Sequence, residues 1–138
     1  MKSKLCIGTS NFGYPYGLDN KIIEIKEVEK ILKFCIKNNI NYLDTSPSYN
    51  NYKFLNKVKI NYKKFKIIVK FSLKYLDENK LDISKFIFKI LKKFKINKLE
   101  AVLIHDSNDL KNKKSLRLLS ELHELKKKNI INKIGISV

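Results

Sequence analysis

Four residues in this sequence have the types and the placement to do chemistry together. Asp44 and Tyr49 bracket the stretch Asp44-Thr45-Ser46-Pro47-Ser48-Tyr49, which follows the apolar pair Tyr42-Leu43. Lys70 closes Ile67-Ile68-Val69-Lys70, and His105 follows Ala101-Val102-Leu103-Ile104. An ionisable group at the end of a buried strand is poorly explained as packing, because a buried charge is costly unless paired. In a parallel α/β barrel the C-terminal strand ends ring one face. Catalytic groups gather there from distant parts of the chain.

The chemistry that fits this set is carbonyl reduction. An aldehyde or ketone needs a hydride at carbon and a proton at oxygen. No side chain donates hydride, so a cofactor is implied. A tyrosine hydroxyl can supply the proton, although an ordinary phenol has a pKa of about 10. A buried ammonium beside a phenol favours the phenolate. One close cation in a partly dry site supplies the roughly 2.7 kcal/mol that a change of about two units requires. Lys70 is the candidate cation for Tyr49, and Asp44 its counter-ion. His105 is suited to orienting the carbonyl oxygen or sharing in proton transfer. Each residue also has a plainer reading. Asp44 could cap a turn, and Tyr49 is one of seven tyrosines. Lys70 is one of many lysines, and His105 could be a satisfied core histidine. All four falling at successive strand ends is what singles out the set.

The elements that must position them alternate regularly. Short apolar runs predict strands over residues 4–8, 42–44, 65–71, 99–104 and 134–138. Between them, Val28, Ile31, Leu32, Cys35 and Ile36 repeat at helical spacing, and Asn38-Asn39 ends that helix. A short helix is expected over 53–58. Asp82 is placed to cap a helix whose apolar face is Ile83, Phe86, Ile87, Ile90, Leu91 and Phe94. Another runs over 114–128 with Leu118, Leu119, Leu122 and Leu125 as its buried stripe. The loop from Thr9 to Asn20 turns at Gly13 and Gly17. Five strands and four helices in alternation imply an α/β fold with a parallel sheet. Neither GxGxxG nor GxxxxGK[ST] is present, which disfavours a doubly wound nucleotide fold. No linker or charge break interrupts the chain, so residues 1–138 read as one domain. A complete (β/α)8 barrel takes about 250 residues. The expectation is therefore a partial (β/α)8 TIM barrel.

The formal net charge of +17 first suggests nucleic acid. The excess is lysine spread along the chain, and Arg117 is the single arginine. Arginine is the favoured reader of phosphate and guanine, so a solvated lysine-rich surface fits better. Weak nonspecific phosphate binding follows from the charge in either case. No apolar run approaches the roughly 18 residues of a membrane span. Met1-Lys2-Ser3-Lys4 is followed by too short an apolar run for a signal peptide. The protein is expected to be soluble and cytoplasmic, without a metal. Cys6 and Cys35 read as small core residues, lacking CxxC spacing.

These motifs together resemble the aldo-keto reductase family. The family's Asp-Thr-Ala-x-x-Tyr segment is similar to Asp44-Thr45-Ser46-Pro47-Ser48-Tyr49. Its lysine after the third strand matches Lys70, and its histidine after the fourth matches His105. The opening Leu5-Cys6-Ile7-Gly8-Thr9-Ser10-Asn11-Phe12-Gly13, with Tyr16-Gly17, resembles the branch found with surface-polysaccharide biosynthesis genes. Ile134-Gly135-Ile136-Ser137-Val138 fits the fifth strand, whose serine approaches the nicotinamide amide.

The resemblance implies an NADP(H)-dependent reductase of a small carbonyl compound, with sugar derivatives among the candidates. Tyr49 would be the general acid, Lys70 and Asp44 would tune it, and His105 would position the carbonyl. Gly8, Thr9, Asp44 and Ser137 would lie near the nicotinamide. Ser46 replaces the usual alanine, and Asn50 stands where glycine often follows the tyrosine. The later strands, which hold most of the cofactor in the family, are not in this sequence. Weak or absent activity is therefore expected of residues 1–138 alone, as from a gene fragment or a remnant. The alternatives are a non-catalytic half-barrel remnant, a module that self-associates through open sheet edges, and a basic nucleic-acid-binding protein.

Overall fold

The computed structural model describes residues 5–18, 20–49, 51–111 and 113–137. Met1-Lys2-Ser3-Lys4, Asn50 and Val138, which figured in the sequence reading, lie outside the described residues. Five strands follow the order β1-β2-β3-β4-β5 in one open sheet, with α-helices between them. They are β1 (Cys6–Gly8), β2 (Tyr42–Thr45), β3 (Lys66–Phe71), β4 (Leu99–Ile104) and β5 (Ile131–Ile136). The helices are α1 (Ile25–Lys37), α2 (Tyr52–Leu55), α3 (Leu73–Glu78), α4 (Ile83–Phe94) and α5 (Lys114–Lys127). The expected parallel α/β architecture is present. No helix among the described residues is long and apolar enough to cross a membrane. The chain divides into two compact units, Met1–Ile67 and Ile68–Val138.

In the first unit β1 and β2 pair in parallel, with Cys6 beside Tyr42 and Gly8 beside Asp44. Side chains alternate along a strand, so Leu43 and Thr45 share one face and Tyr42 and Asp44 the other. Leu43 and Thr45 are fully buried, whereas Tyr42 and Asp44 are partly exposed. Helix α1 buries Val28, Leu32 and Cys35 and stops at Asn38, with Asn39 left-handed at φ 57°. That is the end expected from Asn38-Asn39. The β1–α1 loop is tied at its base: Gly13 N–H donates to Ile23 O at 3.0 Å, and Ile23 N–H to Asn11 O at 3.3 Å. Gly13 has φ +69°, and a Cβ there would overlap the Phe54 ring, so only glycine fits. One cysteine reading is corrected. Cys35 is buried, and burial pushes its thiol above the usual range. Cys6 is exposed, because its register with Tyr42 puts it on the less covered face.

In the second unit β3, β4 and β5 pair in parallel, with Lys70 beside Leu103 and Leu103 beside Gly135. All six residues expected on the apolar face of α4 are buried. Phe86 is 1% exposed and packs its ring 5.8 Å from Phe71 and 6.0 Å from Tyr75. Helix α5 buries Ser115, Leu118, Leu122 and Leu125, while Leu119 is only half-buried. Helix α3 was not anticipated. At six residues it is too short to show a period, and Ser72 starts it by accepting from Tyr75 N–H at 3.2 Å. The helix expected over 53–58 is a single turn, Tyr52–Leu55.

Strand β5 begins at Ile131, three residues before the expected start, and ends at Ile136. The added residues include the polar Asn132 and Lys133. Both are anchored by Glu100 of β4, with Asn132 Nδ2 at 2.9 Å and Lys133 Nζ at 2.9 Å. Ile131 beneath them is 1% exposed beside Leu99.

Asp82 caps α4 as expected, accepting from Lys85 N–H at 2.6 Å. That hydrogen bond and the Lys85 ammonium hold its carboxyl below the ordinary aspartate range. A lowered pKa stabilises the fold above the unfolded-state value and ceases to do so as pH falls through the folded one. Asp82→Asn is therefore expected to flatten the acid side of the stability curve. Thermal melts at neutral and acidic pH should show wild type and variant converging in acid and separating at neutral pH.

Candidate active site

The chemistry-bearing residues fall at the C-terminal ends of the strands, and each unit holds part of the set. In the first unit Asp44 is half-buried in β2 beside Gly8. Thr9, just past β1, donates its N–H to Asp44 O at 3.1 Å. Thr45 and Ser46 are fully buried and anchor the turn that follows. Ser46 Oγ accepts from Ser48 N–H at 3.3 Å, and Ser46 O from Tyr49 N–H at 3.1 Å. These bonds wind Pro47–Tyr49 into a 3-10 turn and leave Tyr49 half-buried. Its ring meets that of Tyr16 at 6.4 Å between centroids, tilted by 50°. Asp44 and Tyr49, predicted from sequence as one unit of chemistry, are thus held by one short turn.

Gly8 bears on the cofactor. A Cβ built there meets nothing within 4 Å. Protein packing does not demand glycine at this position, and the backbone beside Asp44 is open to a flat ring.

In the second unit Lys70 is half-buried near the end of β3. His105 donates its N–H to Phe71 O at 2.7 Å, and Ser137 its N–H to Ile104 O at 2.8 Å. Alternation along the paired strands puts Lys70, Leu103 and Gly135 on one face, and His105 and Ser137 continue it. The His105 side chain is exposed. The turn after it is held by Asp106, which accepts from Asn108 N–H at 2.8 Å. Asp109 ties that turn to α3 by accepting from Leu73 N–H at 2.8 Å.

The sequence profile of the Aldo/keto reductase family matches residues 4–138. The chain belongs to that family. No curated protein matches it in sequence. Among solved structures it is similar to a Pseudomonas aeruginosa protein described as a candidate aldo-keto reductase. The TM-score is 0.72 at 23% identity, over 99% of this chain and 56% of that one. A Bacillus halodurans aldo-keto reductase in its holo form aligns with TM-score 0.67 at 20% identity, over 99% of this chain and 46% of that one. An aldo-keto reductase from Klebsiella pneumoniae in complex with NADPH aligns with TM-score 0.68 at 12% identity, over 96% and 44%. The chain thus spans about half the length of the aldo-keto reductases whose fold it shares.

Two residues beside the predicted site had no chemical role assigned from the sequence. Tyr16 entered only through the Tyr16-Gly17 resemblance, and its ring contact with Tyr49 places it beside the candidate acid. Asn51 occupies the N-cap position of α2 without a side-chain capping bond. Its Nδ2 donates instead to Thr9 O at 2.5 Å.

Proposed function

We propose that this chain carries the proton-delivering and nicotinamide-facing residues of a reductase that converts an aldehyde or ketone to an alcohol with NADPH. The observation that carries this reading is the open backbone at Gly8 beside Asp44, one short turn from Tyr49, in a chain of the aldo/keto reductase family. NADPH, when bound, supplies the hydride. Tyr49 gives the proton to the carbonyl oxygen, which His105 orients. By resemblance to the family, Lys70 and Asp44 would assist Tyr49 in delivering that proton. By the same resemblance, Gly8, Thr9, Asp44 and Ser137 would lie near the nicotinamide. The substrate is a small carbonyl compound in the cytoplasm, with a sugar derivative favoured by the Leu5–Gly17 motif.

Gly8→Val tests the cofactor side. Valine suits a strand and a Cβ at this position meets nothing within 4 Å, so the melting temperature should hold. Its branched side chain fills the opening, and NADPH binding by calorimetric titration should weaken by about tenfold or more, equivalent to roughly 1.4 kcal/mol. Equal affinity for both proteins would remove Gly8 from the site.

A further inference from the structure

Asn51 is 1% exposed and occupies the N-cap position of α2. Asparagine there ordinarily turns its side-chain oxygen onto the first helical N–H groups. This one makes no capping hydrogen bond. It reaches back 42 residues, and its Nδ2 donates to Thr9 O. Its own Oδ1 and the hydroxyl of Thr9 are buried without a hydrogen-bond partner among the described residues. Buried unsatisfied oxygens are destabilising, so a capping serine or an apolar residue would serve stability better. The arrangement calls for a reason other than stability.

That reason lies in what the bond joins. Thr9 donates its N–H to Asp44 O and accepts at its C=O from Asn51. Asp44 and Asn51 are the two ends of the segment that carries Tyr49. Both ends are therefore fastened to one residue, and that residue directly follows Gly8. We propose that Asn51 is a positioning residue: through Thr9 it sets the place of the Tyr49 hydroxyl relative to a nicotinamide over Gly8. The inference rests on the proposed reductase function for its purpose, but the tie can be tested without a cofactor.

Two substitutions in the 138-residue chain separate the roles. Asn51→Ser can still cap α2 but is too short to reach Thr9. Asn51→Asp keeps the shape and loses the donor. Amide hydrogen exchange by NMR, without ligand, should rise about fivefold or more at both Thr9 and Tyr49 in each variant. Exchange at Leu103 and Ile104 should not change. Titration with reduced nicotinamide mononucleotide supplies a readout that a merely structural role would not split. In the wild type the amides of Gly8 and Tyr49 should shift together. In the variants the Gly8 shift should persist and the Tyr49 shift should be lost. Unchanged exchange at Thr9 and Tyr49, or an unchanged Tyr49 response to the nucleotide, overturns the proposal. Loss of protection throughout the chain in both variants overturns it too, since Asn51 would then serve folding. No shift in the wild type, with the exchange change present, counts against the cofactor reading and leaves the tie standing.

Discussion

Tyr49→Phe is expected to lower NADPH-dependent reduction of an aldehyde by about 10²–10⁴-fold, the range general-acid catalysis contributes. The substitution removes one oxygen and keeps the ring, so the contact with Tyr16 and the Pro47–Tyr49 turn are retained. Gly8, Thr9 and Asp44 are untouched, and nicotinamide binding should be equal in both proteins. The comparison follows the absorbance loss of NADPH with 4-nitrobenzaldehyde as substrate. Equal rates in wild type and variant would mean that the proton comes from elsewhere. A parallel loss of binding would mean that Tyr49 holds the cofactor and not the proton.

The largest effect on stability is expected at Phe86. Its side chain is 1% exposed and lies against Phe71 and Tyr75. Phe86→Ala removes most of a buried ring and leaves a cavity, at a cost of about 3–5 kcal/mol. A typical domain has only about 5–15 kcal/mol of net stability. Urea denaturation should show the midpoint falling sharply, with amide protection lost first in residues 68–137. Leu116→Ala is the control. Leu116 is 77% exposed on α5, and its loss should change stability by no more than about 0.5 kcal/mol. A Phe86→Ala midpoint as close to wild type as that of the control would show that α4 does not anchor its unit.

The parts of the fold readable from sequence are those where burial imposes a period. Helix α4 has six apolar residues at helical spacing, all buried, and an acidic cap that caps. Strand β4 carries the apolar run Ala101–Ile104 after Glu100 and has the expected bounds. Reading failed where one long-range partner overrides local character. Asn132 and Lys133 are polar, yet Glu100 holds them in β5. Cys6 is apolar, yet its register with Tyr42 leaves it exposed. The site follows the same division. As candidates, Asp44, Lys70 and His105 stand out in the sequence because ionisable groups follow apolar runs, and Tyr49 because it closes the turn after Asp44. Asn51 does not, because its partner Thr9 is 42 residues away and its local setting suggests only a cap.

The decisive measurement is a map of backbone amide shifts in the 138-residue chain as reduced nicotinamide mononucleotide is added, set beside the same titration with inorganic phosphate. The net charge of +17 makes the control necessary, since any phosphate will collect on lysine. Saturable shifts at Gly8, Thr9, Asp44 and Ser137 that phosphate does not reproduce are the predicted result. Shifts confined to lysine-bearing helix surfaces, and matched by phosphate alone, would contradict a nicotinamide site in this chain.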